Sequence, residues 1–268
     1  MRTFLASLLL LLSLNATAQT ITVGIVPQFA VKKLHGIWQP ILDELHKETG
    51  YDFVFRGAPD IPTYEKEFLA GQFDLAYMNP YHYLVAENIY RPLVRDTGRQ
   101  LYGIVVVPKD SEFKSLADLD GKMIALPAPN ALGASLMTRA AMTNEFGINY
   151  YTKYVKTHSS VYLNVALGKA AAGGGVQKTF NQQPQRIKDR LRVLYQTKKV
   201  SPHPVVINKR LPEEVGQKIQ AAFIKIASTE EGRELLSKIP MKKLGVAQIS
   251  DYDDVRALNL DPFFEKHN

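Results

Sequence analysis

The sequence predicts an α/β fold arranged as two lobes. Three observations carry the prediction. β-branched runs alternate with segments of helical apolar period in a βαβαβα order, which implies a mostly parallel sheet flanked by helices. The same alternation begins again near Leu101. No internal repeat or low-complexity linker separates the halves, so the chain is expected to cross between lobes more than once. The apolar strands near 101–107 and 203–207 are the candidate crossings.

Residues 20–26 are rich in β-branched side chains and read as the first strand. Ile37, Trp38, Ile41, Leu42 and Leu45 recur at helical spacing, and Gly50 ends that helix. Residues 51–55 make the next strand, and 63–70 a short helix closed by Gly71. Strand 73–77 ends at Tyr77 and runs into Asn79, a good N-cap, and Pro80, suited to the first helical position. In the second unit, 101–107 is a strongly apolar strand, and Ser115-Leu116-Ala117-Asp118 has the capping-box pattern of a one-turn helix. Strand 122–126 leads to Asn130, expected to cap a helix that reaches about Phe146 before Gly147. Strand 154–155 follows, then a helix capped by Ser159 or Ser160 and ending at Gly168. Strands 170–174 and 191–195 complete the unit. The tail, 212–239, is helical, with Val215, Ile219, Ala222, Phe223 and Ile226 as one apolar stripe.

The amino terminus has the form of a secretory leader. Arg2 supplies the charge, 4–14 the apolar run, and Ala16-Thr17-Ala18 the small-residue cleavage site. The mature chain is expected to begin at Gln19 and to reside in the periplasm. No stretch of the sequence is long enough to span a membrane as a helix. Cysteine is absent. The cores, rather than disulfides, must therefore hold the exported protein, and a lipid-anchored terminus is excluded. The net charge of +7 comes from 33 basic and 26 acidic residues. The basic residues are scattered, with short pairs such as Lys32-Lys33, Lys198-Lys199 and Lys242-Lys243. That pattern argues against nucleic acid as a partner and leaves a mild positive field for a small anion.

Three places set a polar cap directly after a strand: Asn79-Pro80-Tyr81-His82, Pro129-Asn130-Ala131-Leu132-Gly133 and Thr157-His158-Ser159-Ser160. Ligands of parallel α/β sheets bind beyond the carboxyl ends of the strands, where helix N-termini offer unpaired N–H groups to an anion. One such cap is ordinary helix punctuation; three over two lobes point to a shared anion cleft. His158 is either a satisfied structural histidine or a donor to a bound oxyanion. Tyr64 and Tyr102 are hydroxyl donors on opposite sides of that cleft, or half-buried packing residues. His82 lies one turn into a helix among aromatic neighbours, and His203 is stiffened by Pro202 and Pro204. Enzyme signatures are missing. There is no Gly-x-Ser-x-Gly elbow and no phosphate loop, and Gly173-Gly174-Gly175 has the wrong spacing for a dinucleotide fingerprint. No His-x-x-x-His pair occurs, and Asp251, Asp253 and Asp254 lack the spacing of a calcium loop. Neither catalysis nor a metal or other cofactor is expected.

Several segments occur in a telling order: Trp38-Gln39-Pro40 with Thr49-Gly50, Gly71-Gln72-Phe73-Asp74-Leu75-Ala76-Tyr77, Val107-Pro108-Lys109-Asp110-Ser111, Ser115 to Lys122, Pro129-Asn130 and Leu167-Gly168. The set resembles the phosphonate/phosphite/phosphate-binding periplasmic proteins, the PhnD-like substrate-binding proteins of ABC transporters. The resemblance covers almost all of the chain beyond the leader. It implies a type II periplasmic-binding-protein-like fold, with 19–103 plus 206–268 as lobe 1, 104–205 as lobe 2, and two hinge crossings that let the lobes close on ligand. It implies capture of a small oxyanion by a monomer and delivery to a membrane permease. It also implies a site drawn from Tyr64, Tyr77, Asn79, Tyr81, His82, Tyr102, Asn130, Ala131, Leu132, Gly133, His158 and His203.

Departures from the family pattern bear on the ligand. The family commonly has Ser-Thr-Ser-Gly after Pro-Asn, whereas this chain has Ala131-Leu132-Gly133-Ala134. Each hydrogen bond lost to a charged oxyanion costs roughly 1.5–3 kcal/mol if nothing replaces it. Members that bind aminoalkyl phosphonates hold the ammonium with acids. Val176, Gln177 and Lys178 align near one such position and His203 near the other, so an ammonium-bearing phosphonate is disfavoured. Two other readings stay open at this point: a sensory protein presenting ligand to a membrane receptor kinase, and a family member binding a non-phosphorus organic anion.

Overall fold

The computed structural model describes residues 19–239 and 241–266; the expected leader, 1–18, lies outside them. The chain first forms β1 (Thr20–Ile25), α1 (Val31–Thr49), β2 (Asp52–Gly57), α2 (Ile61–Leu69), β3 (Leu75–Tyr77), α3 (Pro80–Val85) and β4 (Tyr90–Asp96). It then builds β5 (Gly103–Pro108), β6 (Lys122–Leu126), α4 (Met137–Ala140), β7 (Tyr150–Tyr154), α5 (His158–Ala166), β8 (Ala172–Val176), α6 (Gln177–Asn181), α7 (Gln185–Lys188) and β9 (Leu191–Gln196). It returns for β10 (Val205–Asn208), α8 (Glu213–Ser228), α9 (Glu230–Ser237), β11 (Leu244–Val246) and α10 (Asp253–Arg256).

The strands fall into two sheets, ordered β11-β4-β10-β3-β1-β2 and β7-β6-β8-β5-β9. The fold is α/β in two lobes, but the sheets are mixed where mostly parallel ones were expected. In the first sheet β1 runs parallel to β2 and β3, while β10 is antiparallel to both β3 and β4. In the second, β6 runs parallel to β7 and β8, while β5 is antiparallel to both β8 and β9. The reason is the connectivity. β5 and β10 each enter their sheet from the other lobe, across the carboxyl edge of the parallel strands, and so run back against them. Between the sheets the two passages meet once: Leu101 and Val200 exchange backbone hydrogen bonds of 2.7 and 2.8 Å.

Local sequence accounts for most elements. α1 buries Leu34, Trp38, Ile41, Leu42 and Leu45 along one face and stops at Gly50, whose φ of 71° suits glycine. The tail helix divides in two at Thr229, whose Oγ1 accepts from Gly232 N at 3.0 Å and starts α9 afresh. The helix after β7 is capped by Thr157 rather than by Ser159 or Ser160; its Oγ1 accepts from Ser160 N at 3.1 Å. One core fills lobe 1, and apolar clusters cover both faces of the second sheet. A further cluster joins the lobes: Tyr81 of α3, Leu132, Leu136 and Met137, Val200 of the passage, and Val255 and Leu260 near the carboxyl end.

Candidate functional site

The carboxyl ends of β1, β3 and β6 face the gap between the lobes. β3 delivers Asn79, whose Oδ1 accepts from His82 N at 2.8 Å and caps α3, as its sequence position foretold. The other end of the same amide reaches over the gap, where Nδ2 donates to Asn130 O at 3.2 Å. Asn130 does not cap a helix. Its Nδ2 donates to Glu65 Oε2 at 3.1 Å and to Glu265 O at 2.7 Å, and its Oδ1 accepts from Glu265 N at 2.9 Å. Glu65 Oε1 lies 2.8 Å from His82 Nε2, with both side chains buried. A polar chain therefore runs from α3 through α2 into lobe 2.

The helical run after Asn130 starts as a π-turn at Leu132–Leu136, passes through α4 and widens again at Ala141–Glu145. Two glycines let it sit directly on the sheet. A Cβ at Gly103 would lie 1.9 Å from Gly133 O, and one at Gly174 the same distance from Ala134 O. The glycine-rich strand β8 is thus a packing device: Gly173 and Gly175 likewise admit Val161, Val165 and Tyr162 from α5.

Between these walls lies a cavity of about 20 Å³, water-sized in this closed arrangement. Val26, Gln28, Ile61 and Asn79 line it from lobe 1, Ala131 to Ala134, His158 and Val176 from lobe 2, and His203 from the return passage just before β10. No lysine, arginine or carboxylate is among them. His158 Nδ1 lies 3.1 Å from Thr179 Oγ1. Gln28 Nε2 lies 3.3 Å from His203 Nε2 and, as an amide donor, gives its hydrogen to that nitrogen. Burial pushes His158 down to about 4. It pushes His203 down to about 3, helped by the positive charge that His82 and His158 would carry. Both imidazoles are neutral near pH 7.

Of the residues singled out from sequence, Asn79, Ala131, Leu132, Gly133, His158 and His203 meet at this cavity. The others lie elsewhere. Tyr64 is fully buried and uses its hydroxyl to hold β3, donating to Tyr77 O at 3.0 Å. Tyr77 is sandwiched between Trp38 and His203, with ring centroids 5.1 and 5.2 Å away. Tyr81 is buried in the cluster that joins the lobes, away from the cavity, and donates to Asp261 Oδ1 at 2.5 Å. His82 is spent on Glu65, and Asn130 on Glu65 and Glu265. Tyr102 sits at the passage, 5.9 Å from the Lys199 ammonium. Sequence reading missed Val26, Gln28 and Ile61; the rule that ligands gather beyond strand ends could have found the first two just after β1.

The model of the ABC-transporter phosphonate periplasmic substrate-binding proteins matches residues 23–252. The chain belongs to this family. It is thereby a substrate-binding protein of an ABC phosphonate importer, not an enzyme. Relatives fit that assignment. The phosphate-import protein PhnD of Mycolicibacterium smegmatis is 23% identical over 240 residues, spanning 81% of this chain and 74% of its own. Two solved structures share the fold. The binding protein of a Pseudomonas aeruginosa ABC phosphonate transporter superposes with a TM-score of 0.78 at 19% identity, covering 91% of this chain and 86% of its own. PhnD1 of Prochlorococcus marinus, solved with methylphosphonate, gives 0.80 at 14% identity over 90% and 97%.

Proposed function

We propose that this phosphonate-family binding protein is exported by its 1–18 leader and works as a monomer in the periplasm. It takes a small phosphorus oxyanion into the interlobe cleft and delivers it to the importer's permease. The observation that supports this ligand class is the composition of the cleft. His158 from lobe 2 opposes Asn79 from lobe 1 and His203 from the return passage across a cavity with no fixed charge. Hydrogen bonds, rather than ion pairs, must therefore meet the ligand. Ala131, Leu132, Ile61 and Val26 make the remaining wall apolar, which suits an alkyl substituent better than a fourth oxygen. Methylphosphonate, bound by the Prochlorococcus protein, has that form.

The proton inventory supports a ligand that arrives with a proton. Thr179 Oγ1 lies 2.9 Å from Val176 O, 2.8 Å from the Tyr162 hydroxyl and 3.1 Å from His158 Nδ1; with its one proton on either of the first two, its lone pair takes the Nδ1–H of His158 and Nε2 is left as an acceptor. A hydrogen-phosphonate monoanion supplies the missing proton, either held on its own P–OH or passed to the imidazole. Ligand and one proton then bind together, and affinity falls once the pH exceeds the ligand's second dissociation.

The test is a thermal-shift and calorimetric screen against methylphosphonate, phosphite, phosphate, sulfate and small carboxylates. A ligand at 100 times its Kd adds about 2.7 kcal/mol of stability. No shift with any phosphorus oxyanion refutes the reading. His158→Ala is expected to weaken the best ligand at least about tenfold, roughly 1.4 kcal/mol; unchanged affinity removes His158 from the site.

A further inference from the structure

A second cavity, also of about 20 Å³, adjoins the first. The two share Val26 and Gln28 as walls. They lie on either side of the Tyr77–His203 stack: His203 lines the first and Tyr77 the second. Like the first, the second cavity is closed by both lobes. Trp38, Ile37 and Phe29 contribute from lobe 1, and Lys178 and Gln182 from α6 and its end in lobe 2. Parting the lobes therefore opens both cavities as one trough.

The polar groups of this second cavity lack a counterpart. The Tyr77 hydroxyl is buried without a hydrogen-bond partner among the described residues, and so is Gln182 Oε1. Tyr77 itself is only 3% exposed. A buried hydroxyl left unpaired costs about 1–3 kcal/mol, so such a group calls for a partner. The charges present are positive. Lys178 and Lys238 line the cavity, and Lys178 Nζ donates to Ser237 O at 3.1 Å across the lobe boundary. Burial lowers the Lys178 pKa, and Arg99 and Lys242 push it the same way, but only Lys178 and Lys238 line the cavity. No carboxylate lines the cavity. The acid acting on Tyr77 is Asp96. It is turned to backbone, accepting from Gly98 N at 2.7 Å and from Lys242 N at 2.7 Å.

We propose that the ligand carries a second anionic group, a carboxylate on a short carbon chain, which lies in this second cavity against Lys178 with the Tyr77 hydroxyl donating to it. The substrate class is then a phosphonocarboxylate. The inference rests on the oxyanion reading of the first cavity. It adds that the carbon side of the phosphonate is read by charge. The apolar stem packs on Trp38 and Ile37, the phosphonate stays with His158 and His203, and the carboxylate supplies the acceptor that the Tyr77 O–H lacks.

Calorimetry on the chain from Gln19 onward tests it with methylphosphonate, propylphosphonate, phosphonopropionate and aminoethylphosphonate. Phosphonopropionate is expected to bind at least about tenfold more tightly than propylphosphonate, its isostere without the charge. Lys178→Gln is expected to cut that ratio to under about twofold, and Lys178→Arg to restore most of it. Tyr77→Phe is expected to lower it severalfold while the urea midpoint of the unliganded protein stays at or above wild type, because the deleted hydroxyl has no partner there. Methylphosphonate binding with no preference for phosphonopropionate over propylphosphonate overturns this inference alone. So does a preference for aminoethylphosphonate, or a ratio that survives Lys178→Gln. Failure of every phosphonate to bind overturns the oxyanion reading and this inference with it.

Discussion

Lowering the pH from 7 to 5 is expected to remove about 4 kcal/mol of folding stability, through the two cleft histidines. An imidazole in the unfolded chain titrates near its ordinary value of about 6.5. Folding carries His158 down to about 4 and His203 down to about 3, chiefly because burial disfavours the charged ring. Below about 6.5 the unfolded chain therefore binds more protons than the folded one. The stability is present in full above that pH and is lost as the pH falls through 6.5 towards the folded values. At pH 5 each unfolded ring is almost wholly protonated and each folded ring almost wholly neutral, a difference of about 2 kcal/mol per histidine relative to pH 7. Asp118 is held below the carboxylate range by the backbone N–H groups of Lys114 and Ser115, and Asp251 by Arg95. Their losses come at lower pH and leave this window to histidine. The assay is urea unfolding followed by the fluorescence of Trp38, the only tryptophan and a buried one. At an m-value of about 2–3 kcal/mol/M, the midpoint should drop by more than about 1 M between the two pH values. A His158→Asn/His203→Asn double variant should lose less than half as much. A double variant whose midpoint falls as far as that of the wild type would refute the reasoning.

Other expected outcomes follow from the packing. Gly174→Ala should destabilise the protein by about 3 kcal/mol in urea titrations, because the added Cβ meets the Ala134 carbonyl. It should also weaken ligand, because the segment it displaces lines the cleft. Asn130→Ala removes donors from the buried Glu65 carboxylate and from Glu265 O, and should cost about 2–3 kcal/mol. Because those bonds tie lobe 2 to α2 and to the carboxyl end, small-angle scattering should show an increased radius of gyration. Arg139 pairs with Glu265 Oε1 at 3.0 Å and donates to Phe263 O. Arg139→Ala should therefore speed proteolytic cutting within 260–266, and unchanged cleavage would remove Arg139 as the anchor of that segment.

How much was legible in the sequence depended on how local each feature is. The Asn79 cap and the capping box at Ser115 and Asp118 were readable because their partners lie three residues away. Strand β4 was not, because Pro92 reads as a breaker. It is tolerated because the pairing with β10 shifts register there, between Val205 and Val206, and a bulge needs one fewer ladder donor. Asn130 carries the same sequence signal as Asn79. It was drawn away from its helix by Glu65 and Glu265, residues 65 and 135 positions distant.

The sequence by itself determined the α/β alternation, the apolar faces of α1 and α8, the strand-to-cap turn at Asn79 and the resemblance to the phosphonate-binding family. These rest on periodicity and short-range hydrogen bonding, which are properties of neighbouring residues. Only the tertiary structure decided which candidates share a cavity. Two lobes built from interleaved segments bring His158, Asn79 and His203 together, while Tyr64, Tyr81 and His82 are spent on packing. It also decided the charge of the site, because neutral histidines beside a cationic second cavity follow from burial and from contacts across the two lobes.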